Sequence, residues 1–305
     1  MKSVPAPVST PSTAVAPASG TGTKPALCGS RTGAPAVDKV MVIWEENHGY
    51  SSVVGSPDAP YINSIAAGCA LATDYNAATH PSLPNYLEAT SGLSYARSPF
   101  DGDCSPGGSC VVTGPSIFSQ ETSAGKQWRA YEEAMPLNCD HTTSDVYAAR
   151  HNPPVYYTSI GTDCAPWDQP LGAPTSGALA ADVAAGTLPA YSMVTPDVVD
   201  DMHDGSVAGG DRWLARWLPV VTSGSDYRDG RLAILVVWDE GSGSGNDLSH
   251  VPLLVLSAST RPGTRVAEPI GEPSVLRATE DLTGLPTHLG MAASAPSILT
   301  GFGLR

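Results

Sequence analysis

Residues 231–241 read RLAILVVWDEG, an unbroken apolar run that stops abruptly on Asp239 and Glu240. A strand with one wet face alternates apolar and polar residues, whereas a run apolar at every position is buried on both faces. That is the condition of a central strand in a parallel sheet covered by helices. Two further segments share the pattern. Residues 37–47, VDKVMVIWEEN, end in Glu45, Glu46 and Asn47, and residues 250–257 read HVPLLVLS. LATDYNA (71–77), QWRAYEE (127–133) and LPAYSMVTP (188–196) read as shorter extended pieces.

Helical patterns lie between them. They are APYINSIAAGCA (59–70), the segment from Ser82 to about Thr90 closed by Ser91-Gly92, and GPSIFSQETSAGK (114–126). TSDVYAARHNP (143–153) is predicted as a helix halted by Pro153, and TSGALAADVAAG (175–186) as another. GGDRWLARWLPVVTS (209–223) is amphipathic, with Trp213 and Trp217 on neighbouring turns, and EPSVLRATEDLTG (272–284) is a late helix. Strands alternating with helices predict an α/β fold with a mainly parallel central sheet sandwiched between helices. No internal repeat or boundary interrupts residues 36–305, which are expected to form one domain.

Residues 1–35 are expected to be a disordered tether. The first 27 are Pro, Ala, Ser, Thr and Val with hardly a charge, and contain no apolar run of signal-peptide length. The composition suits the segment that follows an export signal, so the protein is expected to be secreted and soluble. Nothing in the chain is long and apolar enough to span a membrane. Of 305 residues only 15% are charged, and the net charge of −14 argues against nucleic acid or an anionic membrane surface as partner. The six cysteines form no CxxC pair or zinc-like spacing, which favours disulfides in an exported protein. Cys104 with Cys110 and Cys139 with Cys164 are candidate local pairs among the fifteen connectivities that six cysteines allow.

Acids at strand ends carry the chemistry. In open parallel sheets the ligand site lies at the carboxyl ends of the strands. Glu45-Glu46-Asn47-His48 closes one strand and Asp239-Glu240 closes another, with no Lys or Arg within five residues of Asp239. Adjacent carboxylates repel unless a cation lies between them. The oxygen-rich set therefore points to one divalent cation, and does not choose among Mg, Ca, Mn and Fe. A third stretch, ATHPSLPNYL (78–87), offers the hydroxyls of Thr79 and Ser82 at a helix start. A hydroxyl there is either an N-cap or a nucleophile, and the local sequence leaves both readings open.

Six pieces, VMVIWEENHGYSSVVGS, THPSLPNYLEATSG, ARHNPPVYY, YSMVTPDVVDDMHDGSVAGGDRWL, LAILVVWDEG and HVPLLVLS, occur in order along the chain. Together they resemble the secreted acid phosphatase and phospholipase C group of bacterial and fungal phosphoesterases, in the alkaline-phosphatase-like superfamily. The resemblance implies a mixed, mainly parallel sheet between helices. It implies Ser82 as nucleophile, with Thr79 as the fallback, and a cation held by Glu46, Asn47, Asp239, Glu240 and the Ser82 oxygen. It further implies that His151 and His203 contact phosphoryl oxygens and protonate the leaving group.

His80 and His48 border the ligands, and His80 is a candidate for substrate contact. His250 is a weaker candidate, while His141 and His288 are expected to be structural. Asn85 is expected to order its own helix start. The implied substrate is a small phosphate ester, most simply a phosphomonoester cleaved through a phosphoserine. The alternatives are a phospholipase C acting on phosphodiester headgroups, and a secreted protein that binds phosphate esters without turnover.

Overall fold

The computed structural model describes residues 27–242 and 245–305; the first 26 residues, most of the expected tether, lie outside the described residues. Eight strands form one sheet. They are β1 (Lys39–Glu45), β2 (Ala70–Asn76), β3 (Trp128–Glu132), β4 (Asp168–Pro170), β5 (Tyr191–Thr195), β6 (Leu232–Trp238), β7 (His250–Leu256) and β8 (Thr264–Val266), in the order β4-β3-β5-β1-β6-β7-β2-β8. Nine α-helices accompany them among the described residues: α1 (Tyr50–Val53), α2 (Pro60–Gly68), α3 (Ser82–Ser91), α4 (Ile117–Ser123), α5 (Cys164–Trp167), α6 (Ala178–Ala185), α7 (Val207–Ser223), α8 (Ser225–Arg228) and α9 (Glu272–Thr283).

All seven residues of β1 and all seven of β6 are buried, so both faces of the sheet centre are covered, as the apolar runs predict. Each buried aliphatic side chain on these strands is worth about 1.5–3 kcal/mol relative to exposure. That packing fixes the strand ends. β1 and β6 pair in parallel from Lys39↔Leu232 to Glu45↔Trp238, and β5, β3 and β4 continue in the same direction. The chain segments that follow β1 and β6 thus emerge side by side at one edge of the sheet.

The sheet is mixed rather than parallel throughout. β7, the segment HVPLLVLS, runs antiparallel to both β6 and β2. Its apolarity reports burial, which is the same for either direction. Its direction follows from the short link between Trp238 and His250, since a parallel return needs a crossover of a dozen or more residues.

The predicted helix over 143–153 is not formed. Ser144 and Tyr147 close a turn, Asp145 takes a left-handed φ of 43°, and 3₁₀ turns follow at Ala149–His151 and Pro153–Tyr156. The Thr143 hydroxyl accepts the Ala149 N–H, and two successive prolines then remove the donors that a continuing helix would need. α7 behaves as its pattern predicts. The Ser206 side chain caps it by accepting from the Gly209 N–H, and its buried stripe carries Trp213, Leu214, Trp217, Leu218 and Val221.

The cysteines pair as Cys28–Cys69, Cys104–Cys110 and Cys139–Cys164. The two local pairs agree with the sequence reading. The long-range pair moves the boundary of the body upstream of residue 36, because Cys28 is fully buried and the Arg31 N–H donates to the Ala258 carbonyl. This bridge spans 41 residues and the smallest spans 6, so loop-closure entropy assigns them about 4 and 2 kcal/mol. Calorimetry of a Cys28→Ser/Cys69→Ser variant should show a Tm lower by roughly 5–10 °C. An unchanged Tm would remove this bridge from the list of stabilising features. No helix among the described residues is long and apolar enough to cross a membrane.

Candidate active site

Beyond β1 the chain continues into Glu46 and Asn47, and beyond β6 into Asp239 and Glu240. The strand register holds the two ends together, with the Asp239 N–H donating to the Glu45 carbonyl at 3.2 Å. Glu46, Asp239 and Glu240 each bring a carboxylate oxygen within 4.8 Å of the others, and all three are fully buried. Glu45 does not join them. Its carboxylate lies against the backbone of Gly210 in the first turn of α7, where a Cβ would stand 3.0 Å from Oε2.

Ser82 enters this group from α3. It is the first residue of the helix, Pro81 holds the N-cap position, and no side chain caps the helix. The N-cap reading of Ser82 therefore fails. Its buried hydroxyl faces Glu46 Oε2 at 3.1 Å and Glu240 Oε1 at 3.3 Å instead. Thr79 is not brought into the group, since its hydroxyl donates to the neighbouring His80 carbonyl. Asn85 orders the approach to the helix, as expected. Its amide accepts the Thr79 N–H and donates to the Thr79 carbonyl, both at 3.0 Å.

The group is unbalanced in charge. Both Asp239 oxygens and the Asn47 side-chain oxygen are buried without a hydrogen-bond partner. Asn47 sits at a left-handed φ of 53°, a conformation that Asn tolerates better than most residues. Burial pushes Asp239 up to about 7. Burial, then the Asp239 charge, pushes Glu240 up to about 10. Glu46 is raised well above the usual carboxyl range by burial and then by Asp239. Burying unpaired carboxylates costs several kcal/mol per ion, more than one strand-end contact returns. A hard divalent cation accepts this donor set of carboxylate, amide and hydroxyl oxygens, so the residues present fit one.

His151 packs beside the acids. Its Nε2 lies 3.3 Å from Glu46 Oε1 and its Nδ1 lies 3.3 Å from Asp201 Oδ2, and burial holds the imidazole well below its usual pKa. His203 joins Glu46 and His151 in a second group of ligand atoms within 4.8 Å. Its Nδ1 is 2.8 Å from Asp204 Oδ1, and its Nε2 faces the Arg150 guanidinium at 3.3 Å. His80 stands at the rim, 54% exposed, with Nδ1 2.7 Å from Glu240 Oε2.

The other histidines take part in neither group. His250 contacts the Thr73 carbonyl and stacks on Tyr50, His141 lies against Cys139, and His288 pairs with Asp281. His48 is half-buried, and burial lowers its pKa.

Four residues escaped the sequence reading. Tyr86 donates a short hydrogen bond to Glu46 and stacks on His151 with ring centroids 5.4 Å apart. Its place one turn after Ser82 on the same helix face was the available signal. Asp201 is fully buried, and its carbonyl accepts the Glu46 N–H. Arg150 and Asp103 form an outer pair, with Nε 3.6 Å from Oδ2. Asp103 also accepts the Leu83 N–H at the start of α3, 2.9 Å away.

Comparison with known proteins identifies the family of the chain. The model of the Phosphoesterase family matches residues 54–286. A phosphatidylinositol-3-phosphatase of Mycobacterium tuberculosis is 33% identical over 268 residues, covering 87% of this chain and 82% of that protein. An acid phosphatase of Aspergillus fumigatus is 24% identical over 68% of this chain and 46% of its own length. A phosphate-repressible acid phosphatase of Penicillium chrysogenum is 25% identical over 68% and 48%. The chain thus spans about half the length of these fungal relatives. A Vibrio parahaemolyticus protein of the alkaline phosphatase superfamily superposes with a TM-score of 0.60 at 12% identity, covering 91% of this chain and 74% of that one, which is a likeness of fold. With the family model matched over most of its length and a relative one-third identical across nearly all of it, the chain belongs to the Phosphoesterase family.

Proposed function

We propose that this protein is a metal-dependent phosphomonoesterase in which Ser82 is the nucleophile and a phosphoserine is the intermediate. The carrying observation is the aim of the Ser82 hydroxyl, which caps nothing and points into a buried acid cluster. Glu46, Asn47, Asp239, Glu240 and Ser82 would hold one divalent cation, Mg, Ca, Mn or Fe. When bound, that ion supplies the positive charge that lowers the hydroxyl's pKa and neutralises phosphoryl oxygens.

The chain's own residues account for the remaining steps. The Ser82 proton passes to Glu46 or Glu240, a Oγ–phosphorus bond forms, and the ester P–O bond breaks with its electron pair on the departing oxygen. His151 and His203 border the same volume and are placed to contact the phosphoryl group, with the partly exposed His203 placed to protonate that oxygen. Water then breaks the Oγ–phosphorus bond, releasing phosphate and restoring the hydroxyl. His80 at the rim is placed to meet substrate as it enters.

The relatives' names, all phosphatases, support a monoester over a diester. The Mycobacterium relative's name favours a phosphorylated inositol lipid as one natural substrate. The three disulfides support an exported protein in an oxidising compartment.

Rapid acid quench of metal-loaded enzyme with phosphorus-labelled p-nitrophenyl phosphate should trap one label per chain, mapped to Ser82 by mass spectrometry. Steady turnover with no trapped label, across quench times shorter than one turnover, would overturn the covalent route.

A further inference from the structure

Three carboxylates set against one divalent cation leave the centre a unit negative, in a chain that is itself strongly acidic. A phosphomonoester adds a dianion. Like charges repel strongly in a partly buried site, and a further cation on the substrate side relieves that repulsion. Arg150 supplies it. Its charge bears on Asp201, Glu240 and His151, and its side chain is 24% exposed at the edge of the group.

Two contacts pose this guanidinium. Asp103 lies in ion-pair range of Nε, 3.6 Å away, and also accepts the Leu83 N–H one residue after Ser82, so Arg150 is referenced to the start of the nucleophile's helix. Nη2 faces His203 Nε2 at 3.3 Å. Since a guanidinium only donates, His203 Nε2 accepts from Arg150, and its Nδ1–H donates to the Asp204 carboxylate. A guanidinium carries five N–H donors in a planar fork that matches two oxygens of a phosphoryl group, and two protein contacts leave most of them for a ligand.

We infer that Arg150 is a specificity-determining residue that binds the non-bridging oxygens of the substrate phosphoryl group and selects dianionic monoesters over monoanionic diesters. On binding, the guanidinium passes from His203 to the phosphoryl oxygens. This inference rests on the phosphomonoesterase reading given above.

The test compares metal-loaded wild type, Arg150→Gln and Arg150→Lys on p-nitrophenyl phosphate and on methyl p-nitrophenyl phosphate, with inorganic phosphate as competitive inhibitor. Where the diester is not turned over, its competitive inhibition is measured in its place. Arg150→Gln should lower kcat/KM for the monoester by about 30–100-fold, mostly through KM, and weaken phosphate inhibition by a similar factor. The diester should change by less than about 3-fold, and Arg150→Lys should fall between wild type and Arg150→Gln. Equal losses on both esters, or unchanged phosphate inhibition, would reduce Arg150 to a strut for Asp103 and overturn the inference. A wild type that hydrolyses the monoester in a Ser82-dependent way keeps the phosphatase reading intact under that failure. A wild type without such turnover overturns both.

Discussion

Replacing Ser82 with alanine should lower p-nitrophenyl phosphate turnover by about 10⁴-fold or more while moving Tm by no more than a degree or two. The two halves of this expectation come from one geometry. The hydroxyl is the only atom removed, and it faces Glu46 and Glu240 rather than a backbone N–H. Loss of a true N-cap would cost about 1 kcal/mol and appear as a lower Tm with activity largely kept. Thr79→Ala is the matched control. The Thr79 hydroxyl is spent on a neighbouring carbonyl, so that variant should retain turnover within a few-fold. Inactivity in Thr79→Ala with activity in Ser82→Ala would transfer the nucleophile's role and refute the assignment.

Asp239→Asn should abolish activity, by about 10³-fold or more, and yet stabilise the protein once metal has been stripped by a chelator. The sign follows from burial. Asp239 is pushed up to about 7 and Glu240 to about 10, both above the carboxyl range near 4 of an unfolded chain. The folded chain therefore holds protons that the unfolded chain has already released. Their contribution to stability is full below about pH 4 and is lost as pH rises through 7 towards 10. Chelated wild type should accordingly show a falling Tm between pH 5 and 8, with a shallower fall in Asp239→Asn. Divalent cation added at pH 8 should raise the Tm of wild type and leave that of the variant nearly unchanged. A Tm of chelated wild type that is flat over this interval would show that the acid cluster is already compensated by another group.

Much of this arrangement is legible in the sequence, for reasons that also mark where legibility ends. Residues 232–238 and 40–44 are apolar throughout because both faces of the strand are covered, and the acids after each run stand out against that background. The direction of β7 is hidden, because burial leaves the same pattern on a strand whichever way it runs. His151 is visible as a residue, but its path is not, since Ala148, Ala149 and Arg150 favour a helix that the Thr143 hydroxyl and the two prolines prevent. Among Asp200, Asp201 and Asp204, nothing in the spacing singles out Asp201. Only the fold, by bonding its carbonyl to Glu46, turns one of three similar acids inward. Tyr86 shares the helix face of Ser82, but its contact with Glu46 and those of Arg150 join elements remote in sequence, which no local pattern records.

All ten residues of α3 are buried, so the helix that carries Ser82 is itself an interior element. Interior helices open only when most of the molecule opens, and their amides exchange with solvent at the rate of global unfolding. The proposed nucleophile and the acids at the ends of β1 and β6 therefore belong to one cooperative unit. Warming should not produce a folded but catalytically dead form. The residual activity of heated samples should instead follow the loss of tertiary signal point for point, and the amides of α3 should be among the last to acquire deuterium.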